Sequence, residues 1–387
     1  MHIAWLGKKT PVCGNVIYGK EITNGLMDRG HQVSFLHFAS EAETLEQEEH
    51  DPDLEYCQEV PLPFLYRSTI YTVPSLRSNK VLIDSLRQLK PDLVHASLAL
   101  SPLDFLLPEI CRELNLPLVA TFHAPFDVKR RNLASGTQTL TYQIYAPSLA
   151  EYDQVIIFSE MQANYLKRLA VPANRIAVIP NGVDTQKFSP GYSNIKQELN
   201  AEFLCVYQGR LAAEKNVEAL LKAWVKVDLP LGCKLAIIGD GNLGASLRSL
   251  YSNCSTIIWL GFIGDEQRRI EILRGADVFV LPSLVEGLSL SLLEAMSCGI
   301  ACLATDVGAD GEVLAEGGGI ALDSRKVTSQ LCTLLPMLAA HPEICEILGQ
   351  KARARVLRKY TLQSNIFQLE QLYRQVLEQQ SVALPFF

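Results

Sequence analysis

Short apolar runs of strand length alternate along this chain with longer stretches whose apolar positions recur every three or four residues. That alternation is the pattern of parallel βαβ units, because strands covered on both faces read as continuous apolar runs. In the first half the runs predict strands at 2–6, 32–37, 92–96, 118–122, 154–158 and 175–179, with helices at 18–29, 103–114 and 160–169 between them. Gly30 stands just past the first helix, where a left-handed C-terminal residue is favoured. Residues 180–191, PNGVDTQKFSPG, are a run of turn formers and read as a linker. A second βα series follows, with strands at 204–208, 234–238, 256–260, 278–281 and 301–304. From 361 to 380 no strand pattern remains, and Ile366, Leu369, Leu372, Tyr373 and Val376 recur at helical spacing. The expected organisation is a first Rossmann-like domain at 1–185, a second at 186–360, and a terminal helix at 361–387 that packs back on the first domain.

Composition changes the picture in three ways. The 387 residues are 48% hydrophobic and 20% charged, a folded chain long enough for two cores. The net charge of −7 argues against a general nucleic-acid binder. It conceals an acidic stretch, since nine of the 21 acids in residues 1–190 fall between Glu41 and Glu59, leaving an otherwise basic first half. No run reaches the roughly 18 apolar residues of a membrane span, and the start lacks the pattern of a secretory signal. The expected location is the cytoplasm or the cytosolic face of a membrane. The ten cysteines are scattered, with no CxxC pair and no histidine at zinc spacing, so buried thiols are expected and no metal site.

Three segments of the second half carry candidate chemistry, each after a strand, where α/β sheets bind ligands. Gly209-Arg210-Leu211 closes one strand, and Lys215 lies five residues beyond Arg210, so both cations can reach a diphosphate. The segment Glu286-Gly287-Leu288-Ser289-Leu290 to Glu294 follows another strand and opens a helix whose N–H groups favour a phosphate or sugar oxygen. Eight residues are about 2.2 helical turns, which puts Glu286 and Glu294 on one side of a continuous helix. Such carboxylates suit vicinal hydroxyls. Gly261-Phe262 follows a third strand and offers a ring to cover a flat base. The bland readings of these residues are surface ion pairs, an acid complementing a helix dipole, and a core aromatic.

GRLAAEK, the Glu-x7-Glu stretch running into Ala295-Met296-Ser297-Cys298-Gly299, and PNGVD together resemble glycosyltransferase family 4 and its GT-B fold, over nearly the whole chain. In the first half the likeness extends to the loop after the first strand, to Arg29-Gly30-His31, and to Thr121-Phe122-His123 closing a strand. The resemblance implies an α/β protein of two Rossmann-like domains facing each other across a cleft, and a retaining transfer from a nucleotide-sugar without metal or other cofactor. By the same resemblance Arg210 and Lys215 hold the donor diphosphate, Glu294 the ribose, and Glu286 the transferred sugar, with His123 on the opposite domain. Gly14, Asn15, Gly209, Phe262, Gly287, Leu288, Ser289 and Leu290 fill out the expected donor site. The first loop reads Cys13-Gly14-Asn15-Val16 where the family usually has two adjacent glycines, and Leu288 stands where an aromatic is frequent.

Two other motifs compete. Gly239-Asp240-Gly241-Asn242-Leu243-Gly244 matches G-x-G-x-x-G with Asp265 downstream, but it follows the second strand of its domain and not the first. A nicotinamide oxidoreductase is therefore the remote alternative. Asp51-Pro52-Asp53 lies in the acidic stretch with no strand before it and reads as solvated charge. His95 reads as a satisfied core or rim residue.

The acceptor is read from the first half. Residues 64–90 hold Arg67, Arg77, Lys80, Arg87 and Lys90 against Asp84 alone, beside Phe64, Leu65 and Tyr66. Lys129, Arg130 and Arg131 form a second basic cluster. Such segments suit an anionic membrane surface, or else are the solvated faces of amphipathic helices. GKKTPVCGNVIYGKEITNGL is also similar to the galactolipid-forming members of family 4. The expected partners are a UDP-sugar carrying galactose or glucose and a membrane glycolipid acceptor such as monogalactosyldiacylglycerol. A soluble sugar acceptor and a nucleotide-sugar epimerase are the alternatives.

Overall fold

The computed structural model describes residues 1–10, 13–40, 56, 58–68, 71–98, 100–126 and 133–383. Its contacts divide the chain into two units, Met1–Ala124 with Thr137–Pro180 and Gln363–Phe387, and Pro125–Gly136 with Asn181–Leu362. The division falls at Pro180 and Asn181, five residues before the expected boundary. Residues 125–136 group with the second unit, where the Phe126 N–H donates to the Glu286 carbonyl at 3.3 Å.

The first unit begins β1 (His2–Gly7), α1 (Gly14–Asp28), β2 (Gln32–Phe38) and β3 (Gln58–Leu62). A two-stranded antiparallel ribbon follows, β4 (Phe64–Arg67) with β5 (Thr72–Pro74), then α2 (Ser78–Leu89) and β6 (Leu93–Leu98). A 3-10 turn at Pro102–Phe105 leads into α3 (Leu107–Glu113), then β7 (Leu118–Phe122), α4 (Leu133–Leu149), β8 (Gln154–Ile157), α5 (Glu160–Arg168) and β9 (Ile176–Val178). Seven strands make one parallel sheet in the order β3-β2-β1-β6-β7-β8-β9. Its central strands are mostly apolar and covered: Ile3, Ala4, Trp5, Val119, Ala120 and Phe122 are wholly buried, with His95, Ser97 and Thr121 the buried polar positions among them.

The pattern missed three pieces here. β3, β4 and β5 are short, and Pro61 and Pro63 disrupt the alternation that would mark them. Residues 64–68 and 71–90 are therefore a ribbon and one helix, where the alternative to a membrane surface is an amphipathic helix face. The helix expected at 103–114 is split, because Pro108 has no N–H to continue the helical ladder and so starts a new helix instead.

The second unit runs α6 (Ile195–Glu198), β10 (Phe203–Gln208), α7 (Val217–Lys226), β11 (Cys233–Ile238), α8 (Gly244–Leu250), β12 (Ile257–Gly261), α9 (Glu266–Arg274) and β13 (Val278–Leu281). It continues α10 (Leu290–Ser297), β14 (Ala301–Thr305), α11 (Asp310–Leu314), β15 (Ile320–Leu322), α12 (Val327–Ala340) and α13 (Pro342–Lys359). The sheet order is β12-β11-β10-β13-β14-β15, all parallel. Successive strands are added in one direction from β10 to β12 and in the other from β13 to β15, and doubly wound sheets bind ligands beyond that switch point.

The last helix, α14 (Leu362–Ala383), belongs from Gln363 onward to the first unit. Ile366, Leu369, Tyr373 and Val376 are buried, the Arg29 guanidinium meets Glu370 at 2.6 Å, and the Tyr373 hydroxyl bonds His95 Nδ1 at 2.6 Å.

Candidate active site

In the second unit the switch-point loops are locked together. Gly239, at the end of β11, has φ +125°, and a Cβ there would lie 2.0 Å from the Gly209 carbonyl oxygen. A Cβ on Gly241 would likewise meet the Leu211 carbonyl at 2.5 Å. These two glycines of the G-x-G-x-x-G match thus let neighbouring strand-end loops pack backbone to backbone, which accounts for them without a dinucleotide.

Across the switch point the Leu284 N–H donates to the Glu214 carbonyl at 2.8 Å, joining the loop after β10 to the loop after β13. Lys215 ends a 3-10 turn at Ala213–Lys215, and its Nζ donates to Glu286 Oε1 at 2.6 Å. Both partners are largely buried, with side-chain exposures of 18% and 9%. Arg210 is half exposed and pairs with Glu214 at 3.0 Å. The structure therefore joins Lys215 to Glu286 and leaves Arg210 on the open side of the same loop.

The expected common helix face for Glu286 and Glu294 is corrected. α10 starts at Leu290, and the Ser289 hydroxyl caps it by accepting from the Leu292 N–H, so Glu286 lies in the preceding loop. An N-cap serine is worth about 1 kcal/mol and fixes the start there. Glu294 sits one turn inside α10, buried, with its Oε2 accepting from Gln208 Nε2 at 2.7 Å. Burial pushes its carboxyl up to about 7, against the pull of Arg269 and of the Gln208 bond. Gly287 carries its carbonyl onto the Ala309 N–H at 2.7 Å, and Leu288 and Ser289 are buried. Phe262, past the end of β12, is 73% exposed. Sequence reasoning missed Gln208, the last residue of β10, and Asp310, the first of α11, whose Oδ1 accepts from the Ser289 N–H at 2.9 Å.

A second polar set lies at the carboxyl ends of β1, β6 and β7 in the first unit. Ser97 of β6 donates to Asn15 Oδ1 at 2.7 Å and pairs with His123 Nε2 at 2.9 Å. Asn15 stands in the first turn of α1, and Gly14 opens that helix with no neighbour within 4 Å of its missing Cβ. His123 packs edge-on against Tyr18 at 5.0 Å between ring centroids. Burial, then the charge of Lys8, lower its imidazole to about 3, so it is neutral at physiological pH. Ser97 and Lys8 were not singled out by the sequence. His95 is wholly buried, stacked on Trp5 at 4.0 Å and bonded to Thr121 at 2.9 Å, a core residue.

The basic candidates separate. Arg67, on β4, donates to the Phe38 carbonyl at 2.9 Å and lies 4.7 Å over the Phe64 ring, so it serves the unit's own packing. Lys80, in the first turn of α2, is exposed. Lys129, Arg130 and Arg131 lie outside the described residues. Among the described residues no three of His, Cys, Asp and Glu gather as metal ligands, and no single helix is long and apolar enough to cross a membrane.

Residues 14–187 match the family model described as Glycosyltransferase Family 4, and residues 202–336 match the one described as glycosyl transferases group 1. The chain is a glycosyltransferase, its first half matching the family 4 model and its second the group 1 model. N-acetyl-alpha-D-glucosaminyl L-malate synthase of Bacillus anthracis is 23% identical to this glycosyltransferase over 95% of both chains. Sulfoquinovosyl transferase SQD2 of Arabidopsis thaliana is 27% identical over 77% of this chain and 57% of its own. The galactosyltransferase of Escherichia coli named for UDP-Gal and alpha-D-GlcNAc-diphosphoundecaprenol is 28% identical, over 57% and 59%. Among solved structures, Anabaena HepE in complex with UDP superposes with a TM-score of 0.76 at 17% identity, covering 97% of this chain and 100% of that one. Sucrose-phosphate synthase of Thermosynechococcus elongatus gives 0.79 at 21% identity, covering 97% and 99%. The two parallel Rossmann-like sheets of this glycosyltransferase are those of the GT-B fold.

Proposed function

We propose that this enzyme moves a hexose, galactose or glucose, from a UDP-sugar to a membrane glycolipid with retention of anomeric configuration. The observation that carries the donor half is the Lys215–Glu286 pair at a switch point, with Arg210 on the same loop as Lys215 and Glu294 in the helix that follows Glu286. A cationic pair suits the departing diphosphate, and two carboxylates suit the hydroxyls of a hexose and of the ribose. The acceptor hydroxyl oxygen bonds to the anomeric carbon on the face from which the diphosphate leaves. The bond from that carbon to the phosphate oxygen breaks, and the hydroxyl proton passes to a departing phosphate oxygen. Arg210 and Lys215 neutralise the charge that develops, so no metal is required. His123, neutral and held by Ser97, is suited to a sugar hydroxyl.

The lipid half is supported by a surface of the first unit. Leu65, Tyr66, Tyr71 and Leu76 expose 71%, 52%, 45% and 99% of their surface on and just after the ribbon, and Arg77 and Lys80 next to them are exposed. Large apolar and aromatic side chains with cations beside them suit an anionic bilayer interface. The enzyme would then work on the cytosolic face of a membrane, with no nucleic-acid partner. The similarity of 7–26 to galactolipid-forming enzymes agrees, as do relatives named for lipid-linked and sulfoquinovosyl transfer.

The test is UDP release from UDP-galactose and UDP-glucose with galactolipid vesicles, L-malate or soluble sugars, with the product identified. Galactolipid-dependent release and a larger glycolipid are expected. Release driven by malate or by a soluble sugar alone would overturn the lipid acceptor and favour the acceptor of the Bacillus relative's name.

A further inference from the structure

Beneath the donor-side loop lies a buried acid that belongs to none of the motifs above. Asp310 opens α11 just after β14 and is wholly buried. Its Oδ1 accepts from the Ser289 N–H at 2.9 Å, while its Oδ2 has no hydrogen-bond partner among the described residues. The two residues before it grip the same loop. The Ala309 N–H donates to the Gly287 carbonyl at 2.7 Å, and Gly308, at φ +57°, lies so close that a Cβ would come within 2.3 Å of the Glu286 carbonyl oxygen. Three consecutive residues thus hold 286–289 from below. We propose that Asp310 is a positioning residue for sugar transfer, fixing Ser289 and through it the loop that carries Glu286 against Lys215.

Charge decides in which form it does so. The groups around Asp310 are Glu286 and Lys215 on the facing loops, with Asp306 and Glu312 on its own segment. Arg355 of α13 spends its guanidinium on the Val313 and Glu312 carbonyls and on Glu316. Burial, then the Glu286 charge, push the Asp310 carboxyl well above its ordinary value, and the Ser289 N–H and Lys215 pull the other way. As an acid, Asp310 leaves Lys215 to Glu286 and to the incoming donor. Ionised, it places a second buried carboxylate beside Glu286, which loosens the loop. The inference rests on reading Glu286 as the contact to the transferred sugar.

The experiment compares wild type, Asp310→Asn and Asp310→Leu by donor-dependent UDP release (kcat and KM) from about pH 5.5 to 9.5, with melting temperatures in the same buffers. Asparagine keeps the acceptor for Ser289 and cannot ionise. It is expected to stay within about threefold of wild type at neutral pH and to hold its rate at alkaline pH, where wild type loses it. Leucine strands the Ser289 N–H and is expected to raise KM about tenfold while leaving the fold melting cooperatively. A carboxyl raised in the folded state loses its contribution to stability as pH climbs from its unfolded value, about 3.9, toward its folded one. The asparagine variant should therefore gain melting temperature over wild type as pH rises through that window. An asparagine variant as impaired as leucine at every pH would overturn the proposal, and so would a melting difference that does not change with pH. The melting arm needs no donor, so a wild type that turns over no UDP-sugar would count against the donor reading alone.

Discussion

The two units share a strand order but gather opposite chemistry at the carboxyl ends of their strands. In the first, Asn15, Ser97 and His123 form a hydrogen-bonded set in which burial holds the histidine neutral. In the second, Lys215 and Glu286 meet as ions with Arg210 close by in sequence. The backbone supplies the same platform twice, since strands that end side by side leave their following loops adjacent. A few side chains then decide whether that platform presents neutral hydrogen-bonding groups or a charged pair. The fold is common to both units, and the division of labour lies in the loops.

Removing charge from the second set should have the largest effect. On the proposed donor reading Lys215→Ala deletes the countercharge to the diphosphate, and it leaves Glu286 buried without its partner. At about 3 kcal/mol, the upper range for a charged hydrogen bond, kcat/KM should fall about a hundredfold. Arg210→Ala, half exposed, should cost about tenfold. Steady-state kinetics on folded variants checks both. A larger loss at Arg210 than at Lys215 would move the centre of the site outward.

A smaller effect follows from Glu294. If it binds the ribose as proposed, its carboxyl accepts from both hydroxyls when ionised, and burial puts that ionisation at about 7. Donor kcat/KM should rise several-fold between about pH 6 and 8 and flatten in Glu294→Gln. Because the folded value is raised, Glu294 also withdraws stability as pH climbs from about 4.3 to 7, and the glutamine variant should gain in melting temperature over that span. His123, lowered to about 3, should add no step above pH 5. A His123→Ala variant that abolished the rise would assign it to the wrong unit. Smallest of all is the expected response to EDTA, with full activity retained if Arg210 and Lys215 supply the countercharge as proposed. Loss on chelation, restored by Mn²⁺ or Mg²⁺, would return a metal to the leaving-group side.

The sequence was most legible where burial is two-sided. Strands such as 118–122 and 278–281 read correctly because they are apolar but for Thr121, and Gly209 with Glu286 to Ser289 stood out as loop chemistry after strands. Positions set by tertiary packing were opaque. Eight-residue spacing suggested one helix for Glu286 and Glu294, but the Ser289 cap starts the helix between them. Gln208 and Asp310 matter through partners 86 and 21 residues away, which no local pattern encodes. The β4–β5 ribbon was hidden by its prolines, and with it the exposed Leu65 and Leu76.

The bond between Tyr373 and His95 spans 278 residues of sequence, and that between Arg29 and Glu370 spans 341. During synthesis the strands around Trp5 and His95 leave the ribosome long before the helix that covers them. At about 5–20 residues per second, Tyr373 follows His95 by roughly 15 to 55 s. Residues 181–362, which supply all six strands of the second sheet, are complete before that helix exists. The chain is therefore built so that its second half can finish folding first, and the N-terminal unit waits for the helix that Tyr373 and Glu370 tie to it.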